Sequence, residues 1–344
     1  MKIAYIVPSL KNRAPVQVVR ALATVMTLHG HTCCVYYFDQ EKELNFPCET
    51  QQISMKTRIT FNHFDVIHTH CLRSNLYAFL HKPLKTKTLF VMTAHSFVFE
   101  DYIFERGPII GRLMAWAFLL ASKRHNKVVT LSENAIPYYN RWISKDKLTC
   151  IYNCVLLNSK SVLTEEEQNE IKTFGKNRVV IGTNCWLQKV KGLDLLIRAL
   201  VRLPERICLF LVGEGEERTA LEHFCEECGV ANRVLFAGEK LAAYRYLPYY
   251  DIFVLASHTE GFSLSLLEAA LYGKPCVSSD LPDIQEKFSS DEVVFFPKGD
   301  VEGLVKAILI AEGNTAMGER ARKRAESSYS VERFYQKHIE VYER

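Results

Sequence analysis

The strongest bound on how this chain can fold is a repeated switch between two hydrophobic periods. Short, continuously apolar runs give way again and again to stretches with helical spacing. Lys2–Val7 is such a run, closed by Pro8 and Ser9, and the helical pattern from Val16 to Leu28 comes after it and lasts until Gly30. Runs at Thr32–Phe38, Phe64–Thr69, Thr88–Thr93, Lys127–Leu131 and Leu148–Tyr152 continue the alternation. Uninterrupted apolar strands separated by helices predict an α/β fold with a parallel sheet, because a strand covered on both faces has no polar side to display.

From Leu156 to Asn177 the pattern lapses into LLNSKSVLTEEEQNEIKTFGKN, polar and without a strand, where a domain boundary severs the fewest contacts. The alternation then restarts with a strand at Arg178–Thr183, a helix at Leu193–Leu203, a strand at Ile207–Val212 and a helix at Glu216–Cys228. Next come strands at Val234–Ala237, Asp251–Ala256 and Pro275–Ser278, with a helix at Ser263–Tyr272 between the last two. The expected organisation is a first Rossmann-like domain over 1–156, a linker over 157–177, a second doubly wound domain over 178–328, and a C-terminal helix over 329–344 that is free to return to the first. At 344 residues each domain can bury its own core.

Composition narrows the class of partner. Lys plus Arg number 43 against 39 Asp plus Glu, with no dense basic tract, so no nucleic-acid partner is expected. The eleven cysteines lack framework spacing, which favours a reducing, cytoplasmic setting. Cys225 and Cys228 form one CxxC, but a structural zinc needs four ligands and no second pair accompanies them, so no metal is expected there. The opening MKIAYIVPSLKNR is too short an apolar run for a signal peptide, and nothing approaches the ~18 to 20 apolar residues of a membrane span.

Open α/β sheets bind ligands beyond the carboxyl ends of their strands, so the residues just after each strand are the candidates for chemistry. After Ile181 comes GTNCWLQKVKG, with Lys191 and Gly192 just ahead of a helix; after Val212 come Gly213, Glu214 and Gly215; after Ala256 comes SHTEGFSLSLLEAALYGKP. In the last of these Glu260 and Glu268 stand eight apart, and the chain turns through Gly261 and Phe262 into a helix whose first N–H groups can face an anion.

With Glu260 and Glu268 in EGFSLSLLEAALYGKP and the Lys191-Gly192 pair ahead of a helix, the chain resembles the retaining glycosyltransferases of family 4 over nearly its whole length. The resemblance implies the GT-B fold, two facing Rossmann-like doubly wound domains with the active site in the cleft between them. It implies a nucleotide-sugar donor, with Glu260 near the sugar, Glu268 on the ribose hydroxyls and Lys191 on the diphosphate. Backbone N–H groups around Gly261, Phe262, Ser263 and Leu264 would add to the phosphate site, and Gly213 lies at the neighbouring strand end. The implied reaction moves a hexose to a glycan or lipid-linked glycan acceptor of surface polysaccharide, the acceptor attacking the face the nucleotide leaves, with no enzymic nucleophile. These roles suit the residue types: a cationic Lys stabilises charge developing on a departing phosphate, and carboxylates accept hydrogen bonds from vicinal hydroxyls.

Two departures from the family pattern stand out. The usual Arg five residues before the Lys is Trp186 here, so a bidentate clamp is lost, and Lys189 is the nearest replacement cation, sharing a face with Lys191 if the segment is extended. The usual paired glycines after the first strand are replaced by Lys11 to Pro15. In the first half, His95 in VMTAHSF matches a family position near the reacting sugar, while His68 and His70 are read as core or cleft lining. Ser132, Glu133, Asn153 and Cys154 are weaker matches to cleft positions. No Asp-x-Asp occurs, which favours metal-independent transfer and no cofactor beyond the donor itself. The segment GPIIGRLMAWAFLLASKRHNK reads either as a helix facing the acceptor or the cytoplasmic face of the membrane, or as a helix packed on the sheet; its apolar residues exceed one stripe, which favours burial and leaves peripheral membrane contact open. Trp186 also keeps open a non-catalytic nucleotide-sugar-binding scaffold, and a sugar-nucleotide epimerase of the same fold is a further alternative.

Overall fold

The computed structural model describes residues 1–157 and 161–343, and Asn158 to Lys160, within the stretch read as linker, lie outside the described residues. The chain divides into two compact units, one of Met1–Leu156 with Tyr329–Arg344 and one of Leu157–Ser328.

The first unit is built on a seven-stranded parallel sheet of β1 (Lys2–Val7), β2 (Thr32–Tyr37), β3 (Glu49–Gln52), β4 (Val66–His70), β5 (Leu89–Ala94), β6 (Lys127–Thr130) and β7 (Leu148–Cys150). Its order is β3-β2-β1-β4-β5-β6-β7, so the winding reverses between β1 and β4. The helices are α1 (Ala14–Leu28), α2 (Cys71–His81), α3 (Val98–Ser122) and α4 (Ala135–Tyr139). Pro15 near the start of α1 leaves unmade an N–H bond the helix start lacks anyway, and Val18, Val19, Leu22, Val25 and Met26 bury one stripe of it. Strand β3 has no apolar period to betray it; its Glu49, Gln51 and Gln52 are exposed, and it joins the sheet edge through parallel pairing with β2.

Helix α3 departs from expectation. It kinks at Gly107, φ +76°, ahead of Pro108, and beyond the kink it buries only Gly111, Ala115, Phe118, Leu119, Ala121 and Ser122. Ile109 is 74% exposed, Leu113 65% and Trp116 54%, so the burial favoured on composition is corrected. Small residues with Phe118 and Leu119 let one stripe pack closely on the unit, while Ile109, Leu113 and Trp116 are left largely in solvent.

The second unit carries β8 (Val179–Asn184), β9 (Ile207–Val212), β10 (Val234–Phe236), β11 (Ile252–Leu255), β12 (Cys276–Ser279) and β13 (Val294–Phe296), all parallel, in the order β10-β9-β8-β11-β12-β13. The winding reverses between β8 and β11. Its helices are α5 (Glu165–Phe174), α6 (Leu193–Arg202), α7 (Arg218–Glu227), α8 (Leu264–Leu271), α9 (Pro282–Gln285), α10 (Val301–Ala311) and α11 (Thr315–Ser328). Leu193, Leu196, Ile197 and Leu200 of α6 recur at helical spacing and pack with the wholly buried β9 in one core, which also takes in Cys225. Helix α5 occupies much of the expected linker: Thr164 and Glu167 form a reciprocal capping box, and Ile171 is buried.

The last helix, α12 (Val331–Tyr342), belongs to the first unit. It buries Phe334, His338, Val341 and Tyr342, and the Tyr342 hydroxyl meets His68 Nδ1 at 2.7 Å.

Candidate active site

The two loops that flank the reversal point of the second sheet carry most of the candidate residues. Beyond β8 the chain passes Cys185 and Trp186, makes one tight turn at Lys189–Lys191, and enters α6 through Gly192. Beyond β11 it passes Ser257 and Glu260 and enters α8 through Ser263. The loops are fastened together: the His258 N–H donates to the Val190 carbonyl at 2.8 Å, and Gly192, at φ +60°, leaves its absent Cβ position 2.2 Å from the Ala256 carbonyl oxygen. No side chain fits there.

On this frame Lys191 Nζ donates to Glu260 Oε1 at 2.7 Å, and Ser257 Oγ donates to the same oxygen at 2.7 Å. The Lys191 side chain is 23% exposed and that of Glu260 9%, so the pair is largely withdrawn from water. An ammonium and its carboxylate held rigidly beyond the strand ends suit a ligand that carries both phosphate and hydroxyls. Ser257 lies outside the expected set; a serine three residues ahead of a glutamate carries no motif signal.

The loop after β9 packs against the same frame. Gly213, at φ +152°, has its absent Cβ position 1.8 Å from the Cys185 carbonyl oxygen. Its N–H donates to Gly238 O at 2.9 Å, while the Leu187 N–H donates to Glu214 O at 2.8 Å. Gly213→Ala must push the two loops apart and is expected to lower stability by about 1–3 kcal/mol, read by urea unfolding; an unchanged midpoint would show the loops to be slack. Trp186 Nε1 donates to Glu216 Oε2 at 3.1 Å on the exposed side of the loop.

Lys189 does not share this arrangement. The tight turn voids the strand alternation on which its pairing with Lys191 rested, and its side chain is exposed. At the start of α8, Phe262, Ser263 and Leu264 are each 7% exposed, and Ser263 Oγ accepts from the Leu266 N–H at 3.3 Å. The turn at Gly261 is held from below by Lys287, 2% exposed, whose ammonium donates to Asp283 O at 2.6 Å and to Gly261 O at 3.3 Å and lies 5.1 Å from the centre of the Phe262 ring. A lone Lys in DIQEKF reads as a solvated charge, and no local pattern signals this buried role. Glu268 sits half-buried within α8.

His95 belongs to the first unit, just past β5, and meets His70 at the end of β4 with Nε2 2.9 Å from His70 Nδ1. His68 is fixed from both sides, by Tyr342 at 2.7 Å and by Thr93 Oγ1 at 2.8 Å. Burial pulls His95 down to about 4 and holds His68 and His70 well below the usual imidazole range, so all three are neutral at neutral pH. Ser132 Oγ accepts from the Ala135 N–H at 3.2 Å, Glu133 is exposed, and Asn153 and Cys154 are buried.

Residues 164–328 match the family model for glycosyl transferases group 1, and residues 50–158 match that for glycosyltransferase family 4. The chain belongs to the family 4 glycosyltransferases. It is 27% identical over 325 residues to the O-antigen biosynthesis glycosyltransferase WclY of Escherichia coli, spanning 91% of this chain and 90% of that one. Its fold is the GT-B fold of the solved glycosyltransferases it resembles. It superposes with a TM-score of 0.84 and 18% identity on the sucrose-phosphate synthase of Thermosynechococcus elongatus, covering 99% of this chain and 98% of the other. An equal TM-score, at 17% identity and 99% of both chains, relates it to Anabaena HepE, solved in complex with UDP-glucose. Membership of this glycosyltransferase family favours transfer over the scaffold and epimerase alternatives. Among the described residues no helix is long and apolar enough to cross a membrane.

Proposed function

We propose that this glycosyltransferase moves a hexose, with retention of anomeric configuration, from a nucleotide-sugar donor to a glycan or lipid-linked glycan acceptor in lipopolysaccharide or O-antigen assembly. The observation that carries the reading is the Lys191–Glu260 pair at the reversal point of the second sheet, fixed at 2.7 Å. As the donor's glycosidic bond breaks, negative charge grows on the leaving phosphate, and Lys191 with the N-terminus of α8 is the positive counterpart. Glu260 orients sugar hydroxyls and Glu268 those of the ribose, so that the acceptor attacks from the face the nucleotide leaves. The O-antigen role of WclY and the UDP-glucose held by HepE support the substrate class.

A thermal-shift screen of nucleotide sugars tests the donor half. The right donor at 100 times its dissociation constant stabilises the fold by about 2.7 kcal/mol, and a flat response to every nucleotide sugar would remove the reading. Because the charge is met by Lys191 and a helix end, transfer should persist in EDTA. Turnover that vanishes and returns only with magnesium or manganese would assign that task to a cation instead.

The second substrate bears on α3. From Gly107 to Ser132 there is no Asp or Glu, while Arg112, Lys123, Arg124 and Lys127 fall within the same stretch. Ile109, Leu113, Trp116 and Leu120 recur at helical spacing and are all exposed. At the far end of the helix Lys82 donates to the Arg124 carbonyl, which brings up the loop bearing Leu84, 98% exposed between lysines. An apolar stripe rimmed by cations suits the anionic cytoplasmic face of a bilayer, where a lipid-linked acceptor resides. Sedimentation with vesicles containing phosphatidylglycerol should capture the protein, and Leu113→Glu with Trp116→Glu should reduce capture by roughly 10-fold or more. Equal capture by neutral vesicles, or by the double variant, would overturn this part.

A further inference from the structure

The first unit holds an imidazole pair, one ring fully buried and the other part-exposed, whose protonation pattern the geometry decides. His70 is fully buried at the end of β4, the strand beside the reversal point of the first sheet. Its Nδ1 lies 2.9 Å from His95 Nε2, and its Nε2 is buried with no partner among the described residues. His95 is part-exposed. Burial favours the neutral form of each ring, so each carries one proton, and the bond between them needs one ring to donate and the other to accept.

Two arrangements satisfy that count. If His95 donated from Nε2, His70 would accept at Nδ1 and carry its own proton on Nε2, a buried N–H with no acceptor, the costlier kind of orphan. If His70 donates from Nδ1, its Nε2 is left as a bare acceptor, and His95 carries its proton on Nδ1. The second arrangement leaves no buried donor unpaired. We infer that His70 is a positioning residue that fixes His95 in the Nδ1–H tautomer, so that His95 presents a hydrogen-bond donor, rather than an acceptor, to the ligand bound beyond these strands.

The His70 ring is well placed to impose this. Its neighbour His68 lies 4.4 Å away between ring centres and is itself anchored to Thr93 on β5 and to Tyr342 on α12. A donor tautomer at His95 suits an electron-rich partner, a sugar hydroxyl oxygen or a departing phosphate oxygen, and disfavours any role for His95 as a base through Nδ1. The inference rests on the transferase reading only for the identity of that ligand; the tautomer stands or falls by itself.

Long-range proton–nitrogen correlation spectra of the histidine-labelled protein decide it. The His95 signals are identified by their loss in His95→Gln, and at about pH 7.5 we expect the wild-type ring to show a protonated δ1 nitrogen and an unprotonated ε2. His70→Phe should release His95 to a mixture of tautomers and lower kcat roughly 100-fold with little change in donor KM, while His70→Asn, which keeps an N–H donor near the Nδ1 position, should restore most of the rate and the tautomer. A wild-type ring protonated at ε2, or a His95 spectrum and kcat indifferent to His70→Phe, would overturn the proposal. Because the wild-type spectrum requires no turnover, a protein that shows the Nδ1–H tautomer yet transfers no sugar would refute the transferase reading and not this one.

Discussion

Replacing Lys191 with Met is expected to lower the rate of transfer by about 10²- to 10³-fold, the loss usual when one preorganised donor to a developing oxyanion is removed. Two effects add. The cation that faces the leaving phosphate is gone, and Glu260, 9% exposed, is left among the described residues with only the Ser257 hydroxyl as partner. An unneutralised carboxylate in a dry crevice repels a diphosphate as well as costing stability. Lys191→Met combined with Glu260→Gln separates the two effects. The double variant should recover the unfolding midpoint and donor affinity lost to the stranded charge, yet remain slow. Steady-state kinetics beside urea unfolding read both quantities. A Lys191→Met protein that turns over at the wild-type rate would dismiss the pair as a structural ion pair.

The second large effect is on stability in acid. Burial pulls both His125 and His338, each 2% exposed, down to about 4 from an unfolded value near 6.5. The folded state holds them neutral, so the unfolded state binds the extra protons once the pH drops below 6.5. Their contribution is therefore complete above pH 6.5 and is lost progressively as the pH falls from there to about 4. Each is worth about 3 kcal/mol over that window, so the two together cost on the order of 6 kcal/mol, a large part of the roughly 5–15 kcal/mol of an ordinary domain. His68 and His70 shift in the same direction. Urea unfolding should show the first unit losing stability steeply from about pH 6.5 to about 4.5, and His338→Phe should flatten the profile. A midpoint constant over that range would contradict the burial of these rings.

Much of the architecture is legible in the sequence because the decisive signals are local. Apolar runs ending at turn residues mark β1, β8, β9 and β11 almost to the residue, and the loops that carry Lys191-Gly192 and Glu260 can be located because they follow β8 and β11. The features that stay hidden depend on partners distant in sequence. The polar β3 is a strand only because β2 offers its edge. Helix α3 reads as buried because composition counts apolar residues without showing which side packs. Lys287 reads as a surface charge until Gly261 and Asp283 close over it, and His70, read as core or cleft lining, gives no local sign of the bond it makes with His95 across 25 residues. The face Lys189 would share with Lys191 depends on an extended segment, and a tight turn stands there instead.

Whether transfer from the nucleotide sugar proceeds with retention is decided by the stereochemistry of the product. Wild-type protein is incubated in EDTA with the α-linked nucleotide sugar found by the thermal screen and a lipid-linked glycan pool, and the new glycosidic bond is read from its anomeric proton coupling. An α-linked product, formed without added metal, is the expected result. A β-linked product, or a donor that binds tightly and is never transferred to any acceptor, would contradict the retaining transferase proposed for this chain.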